Sequence, residues 1–308
     1  MIPIFLGTLF AFSSTVVSML TAGVVLFAIA LWAARSDIAS ARGLDKIVAL
    51  ANLSFAVPLA VFGAEHFALA QSIMGIVPKY MPGRLFWTYF VGVALIAASL
   101  SIATKIQVRW SGLLFGIMMF LFVAMLDLPA MRASVHNRIF WVLFCREPQF
   151  GLGAWMLAAA AMGEKWHGGR VIVTLGTLFI ALAAMFYGLE HFLHPMNVPG
   201  IPLEKFMPAW IPGRVAISYF TGVLLIVAGA LILIGKHKRM AATYLGTWIL
   251  LLVVFLYGPI LISSLRDPNV AVQVEGINYF FDTLLYAGAI LALARALSVS
   301  DRKAGVKN

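Results

Sequence analysis

Two short stretches of this chain carry the residue types that chemistry needs, in the same order each time. Glu65-His66-Phe67 recurs as Glu190-His191-Phe192, 125 residues on, and Pro82-Gly83-Arg84 recurs as Pro212-Gly213-Arg214, 130 residues on. A carboxylate beside an imidazole can hold and release protons, because histidine titrates near neutrality. If the two stretches face each other, His66 and His191 could hydrogen-bond the two carbonyls of a quinone, or exchange its protons. They could also clamp a haem b iron from two sides. Arg84 and Arg214 each open a helix, where a cation opposes the macrodipole and needs an offset. Glu65 and Glu190 are therefore expected to pair with the arginines of the motif, in bidentate geometry suited to a loop anchor. The plainest use of all six residues is a pair of polar clamps that tie helix ends to loops.

Further residues stand beside these. Asp282 interrupts an apolar run, where an ionisable group is costly and faces protein or water. It is a candidate proton-relay acid, or the partner of a basic residue. Trp210, in Pro-Ala-Trp-Ile-Pro-Gly, could line a quinone slot or anchor the loop at the membrane surface. His194 falls i+3 from His191 and i+4 from Glu190, on one helix face. Glu-His-x-x-His is not the His-Glu-x-x-His zinc motif, Pro195 follows at once, and no metal site is expected. Asp127, aligned with Tyr257, precedes Leu128-Pro129 and reads as a loop-facing acid. The single cysteine, Cys145, permits no intrachain disulfide and reads as a small buried residue. The chain contains no phosphate loop, no dinucleotide fingerprint and no nucleophile elbow. Electron transfer here would need a partner or a bound cofactor.

The elements that must position these groups are membrane helices. Hydrophobic residues make up 62% of the 308 positions and charged residues 11%, with a mean hydropathy of +0.98. A soluble domain carries roughly 25% charge, so this composition requires lipid as solvent. The net charge of +10 resides in short loops. It reads as topology signals and lipid-headgroup contacts. Nucleic acid is excluded as a partner, since no basic stretch is interleaved with aromatics.

Nine apolar runs approach the length of about 20 residues that a span requires. They lie at roughly 5–33, 47–71, 85–104, 110–128, 147–163, 171–193, 215–235, 241–264 and 277–298. The fifth is short and is expected to start earlier, near Ile139. The proline-dense stretch between the sixth and seventh predicts a compact non-helical loop. The matched motifs continue through Tyr89-Phe90 and Tyr219-Phe220, Gly92 and Gly222, and Pro129 and Pro259. The fold expected is thus an all-α integral membrane protein with an added N-terminal helix (1–34), two four-helix repeats (47–163 and 171–298) and a basic tail (299–308). An even number of helices per unit makes the repeats parallel. The basic residues place the N-terminus outside, the C-terminus and tail in the cytoplasm, and the Pro-Gly-Arg loops outside.

The aromatic-Gly-x-Glu-His-Phe helix end, the proline-rich loop, Pro-Gly-Arg and the following Tyr-Phe-x-Gly-Val resemble the DoxX-like membrane proteins. The resemblance covers roughly 47–162 and 171–297, as a tandem duplication of a unit that in that family is typically four helices. It implies a bacterial cytoplasmic (inner) membrane protein that accompanies quinone-linked sulfur oxidation or thiol and oxidative-stress systems. By that resemblance Glu65, His66, Arg84, Glu190, His191, Arg214 and Trp210 would contact a quinone, and His66, His191 and Asp282 would handle protons. The partner would be a membrane or periplasmic oxidoreductase. The alternative is a non-catalytic scaffold subunit, or a small-solute carrier with a site between the repeats.

Overall fold

The structure, a computed structural model, describes residues 12–163, 168–235 and 237–305. It contains nine long helices among the described residues. They are α1 (Ser14–Ser40), α2 (Asp45–Ala68), α3 (Arg84–Thr104), α4 (Val108–Ala133), α5 (Arg138–Met162), α6 (Gly169–Leu193), α7 (Arg214–Ile234), α8 (Lys238–Leu265) and α9 (Val270–Gly305). Eight are long and apolar enough to cross a membrane. The ninth, α5, carries Arg138, Arg146 and Glu147 within an otherwise apolar helix. The chain is a multi-pass, all-α membrane protein.

Several boundaries differ from the expected ones. The first helix runs on to Ser40, past Arg35 and Asp37, and the part of the expected span before residue 12 lies outside the described residues. The fifth helix starts at Arg138, one residue before the expected Ile139, with Asn137 capping Ile139 N–H at 3.0 Å, so Arg138 and Arg146 are helix residues. α9 extends through Gly305, which makes most of the expected tail helical; residues 306–308, Lys165 and Lys236 lie outside the described residues.

Packing repeats with the sequence. α2 packs on α3 as α6 packs on α7, and α4 on α5 as α8 on α9. Each unit lends its first helix to the last helix of the other, α2 to α9 and α6 to α5, while α5 and α9 meet at the centre. The central helices are the enclosed ones: 78% of the apolar stretch of α2 and 83% of that of α9 is buried, against 17% for α4, which faces lipid. α1 covers α2 and α3.

The recurrence reaches atomic detail. A Cβ on Gly63 would stand 2.6 Å from Ile96 Cγ1, and one on Gly188 would stand 2.5 Å from Ile226 Cγ1. Only glycine lets these helices approach so closely. Gly83 and Gly213 both enter the next helix with positive φ, 64° and 65°, which favours glycine before each arginine. Both α4 and α8 contain a π-turn, at Val123–Asp127 and Val253–Tyr257. Proline lacks an N–H and its ring clashes with the carbonyl four residues back, here Met125 and Phe255. The wider turn just ahead of Pro129 and Pro259 accommodates both defects.

All the proline-rich loops lie at one face. At the opposite face Asp37 of α1 takes Lys105 at 2.9 Å and Arg295 of α9 at 3.3 Å, and buried Asn52 accepts from Arg295 at 3.0 Å. This cluster pins α1, α2 and α9 together at that end.

Candidate functional site

The Glu-His pair ends α2 and α6 on the proline-loop face, and the two copies are wired differently. In the second copy, Glu190 and His191 are buried. Glu190 Oε2 accepts from Arg138 of α5 at 2.8 Å, and Arg138 also donates to the loop carbonyls of Pro202 (2.7 Å) and Leu203 (3.1 Å). His194 Nε2 stands 3.8 Å from the same carboxylate oxygen. His191 uses both ring nitrogens: Nδ1 meets Tyr187 C=O at 2.5 Å, and Nε2 accepts from Gly200 N–H at 2.9 Å. Those partners assign a neutral ring with the proton on Nδ1.

In the first copy the same residues are looser. His66 Nδ1 meets Phe62 C=O at 2.7 Å, but Nε2 has no hydrogen bond among the described residues. His66 and Glu65 are half-buried. Glu65 Oε1 accepts from Asn278 Nδ2 of α9 at 2.8 Å, so its partner is a neutral amide.

The expected pairing of Glu65 and Glu190 with the motif arginines does not form. Arg84 donates to Met74 C=O (2.6 Å) and Val77 C=O (2.9 Å), and Arg214 to Met207 C=O (3.2 Å). The reason is local. Each arginine opens its helix directly after the loop, so the loop's unsatisfied carbonyls lie within reach, and these partial charges offset the helix dipole.

The second loop is closed further. Tyr257, at the end of the α8 π-turn, donates to Pro199 C=O at 2.7 Å; Asn197 Nδ2 donates to Leu203 C=O at 2.7 Å; Asn197 and Phe206 form an antiparallel bridge. Lys205 pairs with Glu275 of α9. Trp210 is exposed on this loop. An open recess beside it is lined mainly by Met196, Ile211, Val215 and Tyr219, with Arg214 as its cation.

α2 and α6 do not form a major packed pair; each lies against the last helix of the other unit. Deeper, at the meeting of α5 and α9, Asp282 is ion-paired. Its Oδ2 accepts from Arg146 NH1 at 2.6 Å, while Arg146 NH2 and Nε reach Glu147 Oε1 at 2.7 and 3.1 Å. The side chains of Arg146 and Asp282 are each 19% exposed, and that of Glu147 14%, so the cluster is not fully enclosed. An unbroken offset of 130 would set Asp282 against Leu152. The packing gives another register: Gly116 faces Trp155, and its counterpart Gly246 faces Leu291, 136 residues beyond Trp155. In that register Asp282 answers to Arg146, and the pair joins corresponding points of the two units.

Asp127 closes the π-turn of α4, within electrostatic range of Glu147 and Arg146. Its Oδ2 is buried without a hydrogen-bond partner. Below the ion pair, Gln149 donates from Nε2 to Tyr187 Oη (3.2 Å) and Cys145 C=O (3.0 Å), and Tyr187 donates to Val142 C=O (3.0 Å). Tyr187 and Tyr286 meet edge to face with centroids 5.9 Å apart. Cys145 is half-buried in this layer and free.

Sequence reasoning missed Arg138, Arg146, Glu147 and Asn278 as site residues. Arg146 lay within the fifth helix as expected from Ile139 but was not matched with Asp282. The available signal was a basic residue inside an apolar helix, Arg146, in a chain with an intramembrane acid, Asp282. Among the described residues no group of three or more His, Cys, Asp or Glu has the geometry to hold a metal ion. Comparison of the chain with protein-family models, with curated proteins and with solved structures returns no match.

Proposed function

We propose that this protein is a DoxX-like integral membrane subunit that contacts a quinone through its first copy, at His66 and Glu65, and serves a partner oxidoreductase. The observation that carries this reading is the unequal state of the two motif histidines. His191 has both nitrogens bonded within the protein, whereas His66 Nε2 has no hydrogen bond among the described residues. The carbonyl of Phe62 fixes the His66 proton on Nδ1, which leaves a lone pair on Nε2. That lone pair can accept a hydrogen bond, and then a proton, from a quinol hydroxyl. Phe67 and Tyr89, stacked at 5.8 Å and exposed, offer an aromatic wall beside it. Such a mix of apolar surface and one or two polar groups suits a lipid-soluble ring. On this reading the redox centre that receives the electrons belongs to the partner. The surplus of basic residues at the tail face favours an orientation with that face in the cytoplasm and the proline loops outside, in the bacterial inner membrane that the DoxX-like resemblance implies.

A second reading, a non-catalytic scaffold, is favoured by the closed wiring of Glu190, His191, Arg84 and Arg214, which is that of a loop clamp. One experiment separates the two. The protein is purified in mild detergent, its visible spectrum is recorded, and bound quinone is extracted and quantified. The comparison is between wild type, His66→Ala and His191→Ala. Quinone retained by wild type and lost from a well-folded His66→Ala protein supports the quinone subunit. A quinone-free wild type, or equal retention in His66→Ala, refutes it and leaves the scaffold.

A further inference from the structure

The helix that opens with the second Pro-Gly-Arg motif, α7, is 21 residues long, Arg214–Ile234. At 1.5 Å per residue that is about 31 Å, the thickness of a bilayer's hydrocarbon layer. Its first residue, Arg214, therefore stands at the level of the lipid phosphates on the proline-loop side. Trp210, just ahead of it and exposed, suits the same depth. The recess against this helix start has a volume of about 610 Å³, within the range of about 300–1,000 Å³ that ligand sites occupy. Loop residues Met196 and Ile211 and helix residues Val215, Ala216 and Tyr219 form its wall, and Arg214 is the only charged residue lining it among the described residues.

The two motif arginines differ in what they have left to give. Arg84 is held by two carbonyls, Met74 at 2.6 Å and Val77 at 2.9 Å. Arg214 makes one longer bond, to Met207 C=O at 3.2 Å, and no ion pair among the described residues. Other carbonyls of its loop are taken: Pro199 by Tyr257, Pro202 by Arg138, and Leu203 by Arg138 and Asn197. A guanidinium carries five N–H donors in a rigid fork that matches phosphate, so most of the fork at Arg214 is unspent. An unneutralised cation beside an apolar wall, at headgroup depth, is complementary to an amphiphile with an anionic head. No carboxylate lines the recess, so an ammonium or choline headgroup finds no counter-charge there. A quinone has no charge to match Arg214, and the imidazole of this copy is closed, with His191 bonded at both nitrogens. Tyr219, stacked on Phe192 with centroids 5.4 Å apart, adds a flat apolar surface for a chain.

We propose that this recess is a binding site for an anionic phospholipid of the proline-loop leaflet, with its phosphodiester on Arg214 and an acyl chain laid along Val215, Tyr219 and Met196. A lipid seated there braces the second loop against α7 from the membrane side. The site belongs to the second copy and does not depend on quinone binding at His66.

The test uses the full-length protein, stripped of lipid by exchange in mild detergent. Thermal unfolding is followed as phosphatidylglycerol is added in mixed micelles, with phosphatidylethanolamine, ubiquinone and inorganic phosphate titrated in parallel. Saturable stabilisation by phosphatidylglycerol, at lower concentration than any of the other three requires, is the expected result. Arg214→Gln should weaken that response about tenfold or more, the loss expected for one charge-assisted contact. Ala216→Trp, at an exposed position, keeps the arginine but fills the recess. It should weaken the response as well, and it serves where Arg214→Gln folds poorly. Arg132→Gln removes an equal charge from an exposed position at the end of α4, outside the recess, and should leave the response unchanged. Equal stabilisation by phosphatidylethanolamine, ubiquinone or inorganic phosphate overturns the proposal. So does a wild type that ignores phosphatidylglycerol, an equal loss in Arg132→Gln, or a response that both recess variants leave intact.

Discussion

The same substitution at the two repeated glutamates should have opposite consequences. Glu190→Gln removes the negative partner of Arg138, a guanidinium whose side chain is 23% exposed, from a carboxylate only 9% exposed. A charge-assisted hydrogen bond at such a site contributes about 1.5–3 kcal/mol. Arg138 would keep the Pro202 and Leu203 carbonyls, so the loop should loosen without detaching. Glu65→Gln meets a different neighbour. Asn278 donates to Glu65 Oε1, and the glutamine oxygen can accept that same bond. The change also removes a half-buried carboxylate that no cation neutralises, so its cost should lie within about 0.5 kcal/mol of zero, or be favourable. At this chain length 1 kcal/mol moves Tm by about 2 °C, which places Glu190→Gln about 3–6 °C below wild type and Glu65→Gln level with it or above. Thermal unfolding of the three purified proteins in one detergent measures this directly. Equal losses at the two positions would mean that the asymmetry in wiring is not energetically real, and the argument that only the second copy is clamped would fall with it.

Three other outcomes follow from the same geometry. His191→Ala strands Gly200 N–H in a buried loop and should cost about 1–3 kcal/mol, while His66→Ala should cost less than half as much, both read from unfolding curves. Gly188→Ala forces a Cβ to 2.5 Å from Ile226 Cγ1 and should destabilise by about 1–3 kcal/mol, with Gly63→Ala close behind because its clash at Ile96 is alike. Tyr257→Phe releases Pro199 C=O and should cost about 1 kcal/mol; hydrogen–deuterium exchange should speed up over 196–207 while the α3 entry loop stays unchanged.

Much of the architecture was legible because lipid imposes simple rules. Apolar run length predicts nine helices, and the fold has nine among the described residues. The helix ends were less legible. α1 and α9 run past the apolar stretch into charged segments, since backbone hydrogen bonding continues where hydropathy does not. The π-turns of α4 and α8 left only Pro129 and Pro259 as a trace, and a proline alone does not distinguish a kink from a helix end. At the site, the motif residues were expected to pair with one another, and their partners in the structure are different. Arg84 and Arg214 satisfy nearby carbonyls because these lie seven to ten residues away along the chain. Glu190 finds Arg138 and Asp282 finds Arg146 only because α5 and α9 sit at the centre, 52 and 136 residues away. Nothing in a single sequence reports contacts of that span.

The two copies differ in a consistent direction. In the second, four devices converge on one loop: Arg138 on Glu190, Gly200 on His191, Tyr257 on Pro199, and Asn197 on Leu203. In the first, the corresponding groups remain available. Glu65 has an amide in place of a guanidinium, His66 Nε2 has no hydrogen bond among the described residues, and Asp127, where the second copy has Tyr257, leaves a buried oxygen without a partner. Duplication explains how both states can coexist. Once one copy's loop is locked by side chains, it can supply the rigidity that a helix bundle needs at its polar end. The other copy is then free to carry groups that cost stability. Free acceptors and surplus carboxylates in a bilayer are such a cost. Their concentration on one side of the pseudo-symmetric pair locates where this protein spends its stability, and hence where its chemistry should be sought.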